Sequence, residues 1–149
     1  MKLLHTIVIF SCFFICKQNS FSQGDISPET CDLNIKITNL KEVTGSIFIG
    51  VFNNKESFPK DGQQFRIFYE SVTENPMTYK IEDLPIGEYA VAVFQDINED
   101  KECNLNFIGI PKEPYGFSND IKPRFSAPPF KKTKFILVEG DTIAIKLFH

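Results

Sequence analysis

The chain has 149 residues, about one domain's worth, with 16 basic and 19 acidic residues and a net charge of −3. That balance argues against nucleic acid or an anionic membrane surface as a partner. The two histidines, His5 and His149, stand near the two ends of the sequence, which leaves no imidazole for a nucleophile triad and too few ligands for a Cys/His zinc site.

Lys2 precedes an apolar run from Leu3 to Cys16, shorter than the about 20 residues that span a bilayer. Ser20-Phe21-Ser22 then places small residues two apart. This is the pattern of a removed signal peptide from Met1 to about Ser22, which implies a secreted or periplasmic protein with no membrane insertion after cleavage. Lipid anchoring at Cys16 is the weaker alternative, because Ile15 stands where a small residue is usual. The leader carries two of the lysines and no acid, so the remainder holds 14 basic and 19 acidic residues, a net charge of −5. Cys31 and Cys103 remain as a candidate disulfide in an oxidising compartment.

Residues 23–31 read as a flexible leader, with Gly24, Ser27 and Pro28 breaking regular structure, and 32–149 as one domain. The first expected strand is Asp32 to Thr38, where Leu33, Ile35 and Ile37 alternate with polar residues. Gly45 to Phe52 is apolar on both faces and reads as a central strand. Phe65 to Glu70 and Pro76 to Ile81 follow. Leu84-Pro85-Ile86-Gly87 is a turn leading into a fifth strand, Glu88 to Phe94, and Tyr89 suits a tyrosine corner. Thr133 to Val138 and Thr142 to Phe148 flank Glu139-Gly140-Asp141, a hairpin signature. About seven short strands between turn signals predict an all-β fold, an antiparallel sandwich of immunoglobulin-like type.

One long ordered stretch, Gln95 to about Lys132, separates strands five and six and far exceeds the usual about 4–6 residues. Its prolines stiffen it, and any site is expected there. Asp96, Asn98, Asp100, Glu102 (by its carbonyl) and Asn104 put oxygen donors at alternate positions, as calcium loops do. Lys101 and Phe107 stand where such a loop has glycine and a bidentate glutamate, so the match to Ca2+ is partial. Lys112, Glu113, Tyr115, Phe117 and Asn119 form a candidate ligand face, aromatic platforms with polar groups between them. Asp96, Glu102, Glu113 and Asp120 are candidates for a hydrolytic carboxylate pair.

Three blocks carry a resemblance. They are Leu84-Pro85-x-Gly87-x-Tyr89-Ala90-Val91-x-Val93-Phe94-x-Asp96-x-Asn98, Gly109-Ile110-Pro111-Lys112-Glu113-x-Tyr115-Gly116-Phe117-Ser118-Asn119, and Ala127-Pro128-Pro129-Phe130. In this order they resemble the bacterial domain of unknown function 2141 family, small exported β proteins with no established activity. Gln95 departs from that pattern, which commonly has histidine there, and Lys101, Cys103 and Asn104 replace a more glycine-rich, aspartate-ended loop. At the level of fold analogy the turn-Gly-x-Tyr strand also resembles transthyretin-like sandwiches. The sequence thus leads to two expectations. The first is an exported, non-catalytic β-sandwich, a binding or accessory module for a protein or glycan of the cell envelope, stabilised by calcium. The alternative is a carboxylate-dependent hydrolase acting on extracellular carbohydrate.

Overall fold

Alternating aliphatic residues set the architecture. The computed structural model describes residues 29–123 and 126–149; the signal-peptide reading, Cys16 and most of the leader lie outside them. Eight strands are formed: β1 (Thr30–Thr38), β2 (Ser46–Phe52), β3 (Arg66–Ser71), β4 (Met77–Pro85), β5 (Glu88–Asp96), β6 (Tyr115–Phe117), β7 (Phe135–Ile136) and β8 (Thr142–Lys146). A 3₁₀ turn, Ser118–Asp120, and a four-residue helix, α1 (Phe130–Thr133), complete the elements. The protein is all-β, as its alternation predicts.

The strands make two sheets, one in the order β4-β1-β8 and one in the order β3-β2-β5-β6 with β7 on the start of β5. Leu33, Ile35 and Ile37 of β1 and Ile145 of β8 share one buried cluster with Ile47, Ile49 and Val51 of β2 and Val91 of β5. Each such side chain, fully buried, stabilises the fold by about 1.5–3 kcal/mol. Tyr89 belongs to the same cluster and its hydroxyl donates to the Pro85 carbonyl at 2.8 Å, so the tyrosine corner is formed.

Three expectations are corrected. Thr133–Val138 and Thr142–Phe148 do not form a hairpin: β7 pairs with β5, and β8 crosses to the other sheet beside β1. The turn at Gly140 (φ 76°) is real, but turn chemistry does not choose the partner. The β1–β8 ladder is parallel, so the fold is not purely antiparallel. Finally, the long stretch after β5 is not without strand: it contains β6, which pairs antiparallel with β5. Gly116 in β6 lets that strand approach β8, since a Cβ there would lie 2.8 Å from the Lys146 carbonyl and from Ile145.

The outward-facing residues of β2 and β5 differ in kind from the inward ones. Cross-strand partners there are Phe48 with Phe94, Gly50 with Ala92, and Phe52 with Ala90. The Phe48 and Phe94 rings stack at 4.8 Å, while Phe52 meets Phe58 edge-on at 5.2 Å. Phe58 in turn meets Phe117 and Phe130, so residues from the long stretch build a second apolar layer outside the sheet.

Candidate functional site

The outer layer does not close completely. Small residues, Gly50 and Ala92, begin a middle row that ends at Phe117, between the row of Phe48, Phe94 and Tyr115 on one side and that of Phe52 and Ala90 on the other. Over Ala92 there is a cavity of about 400 Å³, within the ~300–1,000 Å³ usual for small-molecule sites. Its floor is Phe48, Ala92, Phe94, Tyr115 and Phe117, and its roof is Leu105, Ile110, Pro111 and Ala127. The walls are mostly apolar. Polar groups come from Asp61, Gln64, Cys103 and Ser126.

Gln64 is oriented by Asp61: its Nε2 donates to Asp61 Oδ1 at 3.1 Å. Asp61 Oδ1 also accepts the Gly62 amide at 2.9 Å. Burial against the cavity walls pushes the Cys103 thiol up to about 11, with smaller contributions from the negative charges of Glu113 and Asp61. The residue is nonetheless open to solvent on one side. At the rim, Asn106 organises a tight turn: its Oδ1 accepts the amides of Ile108 and Ile110 at 3.0 Å each. That turn presents Phe107 to solvent, 98% exposed.

The acidic loop is a separate structure beside the cavity. Asp100 gathers its donors: Oδ2 accepts Asn98 Nδ2 at 2.8 Å and Asn104 Nδ2 at 2.7 Å, and Oδ1 accepts the Glu102 amide at 2.9 Å. The Glu102 amide bond and then the two side-chain amides hold the Asp100 carboxyl below its ordinary value. Asn98, Asp100 and Glu102 are exposed and Asn104 is half-buried, and their polar atoms satisfy one another as Asx side chains do in turns. Lys101 takes the left-handed conformation (φ 65°) at the position expected for glycine. Its ammonium lies 5.6 Å from the centre of the Tyr69 ring and forms no salt bridge among the described residues. Among the described residues no three His, Cys, Asp or Glu side chains gather into a metal-holding group.

Asp96 is different. It is fully buried, its Oδ2 accepts the Tyr69 hydroxyl and, at 2.8 Å, the Lys101 amide. Burial first, then the bond to Asp96, pushes the Tyr69 hydroxyl up to about 12. Gly45 makes this packing feasible, because a Cβ there would lie 2.2 Å from the Asp96 carbonyl.

The candidate ligand face does not assemble as one surface. Tyr115 and Phe117 line the cavity, Lys112 is exposed, and Glu113 turns inward, its Oε1 accepting the Ile97 amide at 3.2 Å. Asn119 points the other way and donates to the carbonyls of Lys132 and Lys134 at 3.0 and 3.1 Å, fastening α1 and its exit. Cys31 is buried in β1 and Cys103 is in the acidic loop; both are free thiols, so the expected bridge between them is not formed. None of the four acids considered for hydrolysis lines the cavity, and Asp120 Oδ1 instead accepts the Lys146 amide at 2.7 Å.

Two glutamines, one in the framework and one in the cavity, do more than their sequence context announces. Gln95, fully buried, accepts the Lys41 amide at 3.0 Å and donates to the carbonyls of Glu42 and Thr44, clamping the turn between β1 and β2. Gln64 had no motif around it. A polar residue following Asp61-Gly62 was the only signal.

These features define an all-β protein of two sheets with an apolar cavity built on the outer face of the larger one. The chain belongs to a bacterial family, DUF2141, described as an uncharacterized protein conserved in bacteria, whose sequence model matches residues 35–146. The match runs from within β1 to the end of β8 and includes the whole cavity roof. No curated protein and no solved structure matches the chain.

Proposed function

We propose that this protein is an exported, non-catalytic binding module, a β-sandwich over 32–149, that holds a small apolar or aromatic molecule above Ala92. The cavity carries this reading: its size suits a small molecule, and apolar walls with a few polar groups are the usual composition of such sites. The two sheets closed on one aliphatic core support the sandwich arrangement, and the leader pattern at 1–22 supports export. A glycan would need polar groups converging on the aromatic platforms, and Lys112, Glu113 and Asn119 each turn elsewhere.

The test uses N-phenyl-naphthylamine, a neutral aromatic probe that fluoresces in apolar surroundings. Saturable binding to the folded protein is expected, weakened at least about tenfold, or ~1.4 kcal/mol, by Ala92→Leu, which places a larger side chain on the cavity floor. Ala92→Leu should unfold at nearly the wild-type temperature. Binding that is absent in the wild type, or equal in a folded Ala92→Leu protein, rejects the cavity as the site.

A further inference from the structure

The polar end of the cavity offers acceptors. Asp61 and Gln64 both line it. The Gln64 stem crosses the sheet at Gly50, where a Cβ would lie 3.2 Å from its Cγ and 3.1 and 3.3 Å from the rings of Phe52 and Phe48. Its amide head therefore sits on the outer face, the face that carries the cavity. Asp61 fixes which way that head points. Nε2 donates to Asp61 Oδ1 at 3.1 Å, and the reverse orientation would set two acceptor oxygens against each other. Oε1 is thus turned from the exposed Asp61 side, and there it is covered and accepts no hydrogen bond.

A covered carbonyl without a partner costs about 1–3 kcal/mol, so Gln64 favours an occupant that brings it a hydrogen. The last torsion of a glutamine side chain is broad, and a modest turn aims Oε1 at a group in the cavity. Asp61 adds a charge. Its Oδ1 accepts both the Gly62 amide and Gln64, Oδ2 accepts nothing among the described residues, and the carboxylate forms no salt bridge there. Among the described residues no lysine or arginine lines the cavity. The two acceptors are close together. Nε2 and Oε1 share one carbon, so the 3.1 Å bond keeps Oε1 within about 6 Å of Asp61 Oδ1. One group with several N–H donors can reach both.

We propose that the occupant of the cavity is an aromatic amine, its ring over Ala92 and its ammonium shared by the Asp61 carboxylate and Gln64 Oε1. This rests on the cavity being the binding site, as argued above, and adds the chemical class of the ligand. An ammonium brings donors to both oxygens, and its bond to a carboxylate is roughly twice as strong as one between neutral groups. A neutral hydrocarbon leaves Oε1 without a partner. An anion does the same and also faces the charge of Asp61.

The purified protein is loaded with N-phenyl-naphthylamine at neutral pH, and displacement is measured with 2-naphthylmethylamine, 2-methylnaphthalene and 2-naphthoate, which share one ring system and differ in head group. The ammonium should bind at least about tenfold more tightly than the neutral compound, and the carboxylate most weakly. Asp61→Asn keeps an oxygen for Gly62 and Gln64 and removes only the charge; Gln64→Met removes the carbonyl and keeps the length. Each should cut the ammonium preference several-fold and leave 2-methylnaphthalene binding unchanged, with the unfolding midpoint confirming that the variant is folded. Displacement by the neutral or anionic compound that equals or exceeds that by the ammonium overturns the proposal while the cavity stands. So does an ammonium preference that either folded variant leaves unchanged. If N-phenyl-naphthylamine does not bind at all, the cavity reading fails and takes the proposal with it.

Discussion

The two faces of β2 and β5 carry opposite chemistry on the same backbone. Inward, Ile47, Ile49, Val51, Val91 and Val93 pack into the aliphatic core between the sheets. Outward, Phe48, Phe52 and Phe94 alternate with Gly50, Ala90 and Ala92. Branched aliphatic side chains of similar length interdigitate and fill space. Large flat rings set beside residues with little or no side chain leave a hollow, and a stiff proline-containing cover over it preserves the hollow as a cavity. The core face makes the fold; the outer face makes room.

The largest effect that would sharpen this contrast is in the core. Ile49 is fully buried, so Ile49→Ala should cost about 2–5 kcal/mol of stability by urea denaturation, with probe binding preserved wherever the protein remains folded. A loss below about 1 kcal/mol would mean that the inter-sheet core is loosely packed. Next is the joint before β5: Tyr89→Phe removes the hydroxyl that binds the Pro85 carbonyl, and a loss of about 0.5–1.5 kcal/mol is expected. An unchanged unfolding midpoint would reduce the tyrosine corner to simple ring burial.

The smallest effect is a rate at the cavity wall. Thiolate is the alkylating nucleophile, and the Cys103 thiol is pushed up to about 11 from an ordinary 9.0, so its thiolate fraction is small at neutral pH. Its reaction with iodoacetamide should be slow there and still climbing above pH 9.0. N-phenyl-naphthylamine should slow it further, while buried Cys31 reacts only on unfolding. A rate that levels off near the ordinary thiol value, or that ignores the probe, would place Cys103 outside the cavity wall.

The fold was legible wherever alternation was strong. β1, β2 and β5 begin and end within about two residues of their sequence expectation, because Leu33, Ile35, Ile37 and their counterparts announce a period of two. β4 runs on to Pro85, past the expected end at Ile81, because Lys80, Glu82 and Asp83 are exposed on an edge strand where apolar patterning fades. β6 is three residues long inside a proline- and glycine-rich stretch, too short to show any period. The pairing of β8 was hidden for another reason: Gly140 specifies a local turn, whereas the parallel ladder to β1 is decided by burial of Ile143 and Ile145 against a distant strand. For the site, Asp96 stood out in the sequence as an oxygen donor, but its separation from Asn98 and Asp100 did not. Burial divides that run, and an alternating list of polar residues carries no information about depth. Glu113 was noticed for its place among aromatics, yet it faces the acidic loop because the β5–β6 ladder brings Pro114 against Gln95.

The route of the last strand bears on how the molecule comes into being. β8 lies parallel to β1, and beyond it Phe148 exchanges both main-chain hydrogen bonds with Tyr115 of the other sheet. A single terminal segment therefore laces the two sheets together, using partners from the beginning and the later part of the chain. Contacts between such distant segments are slow to form, since the intervening loop must close before any pairing compensates it. The seven strands before β8 can pair without it, but the lacing of the two sheets needs residues 142–148. The two sheets are thus fastened to each other by the segment whose pairing closes the longest loops.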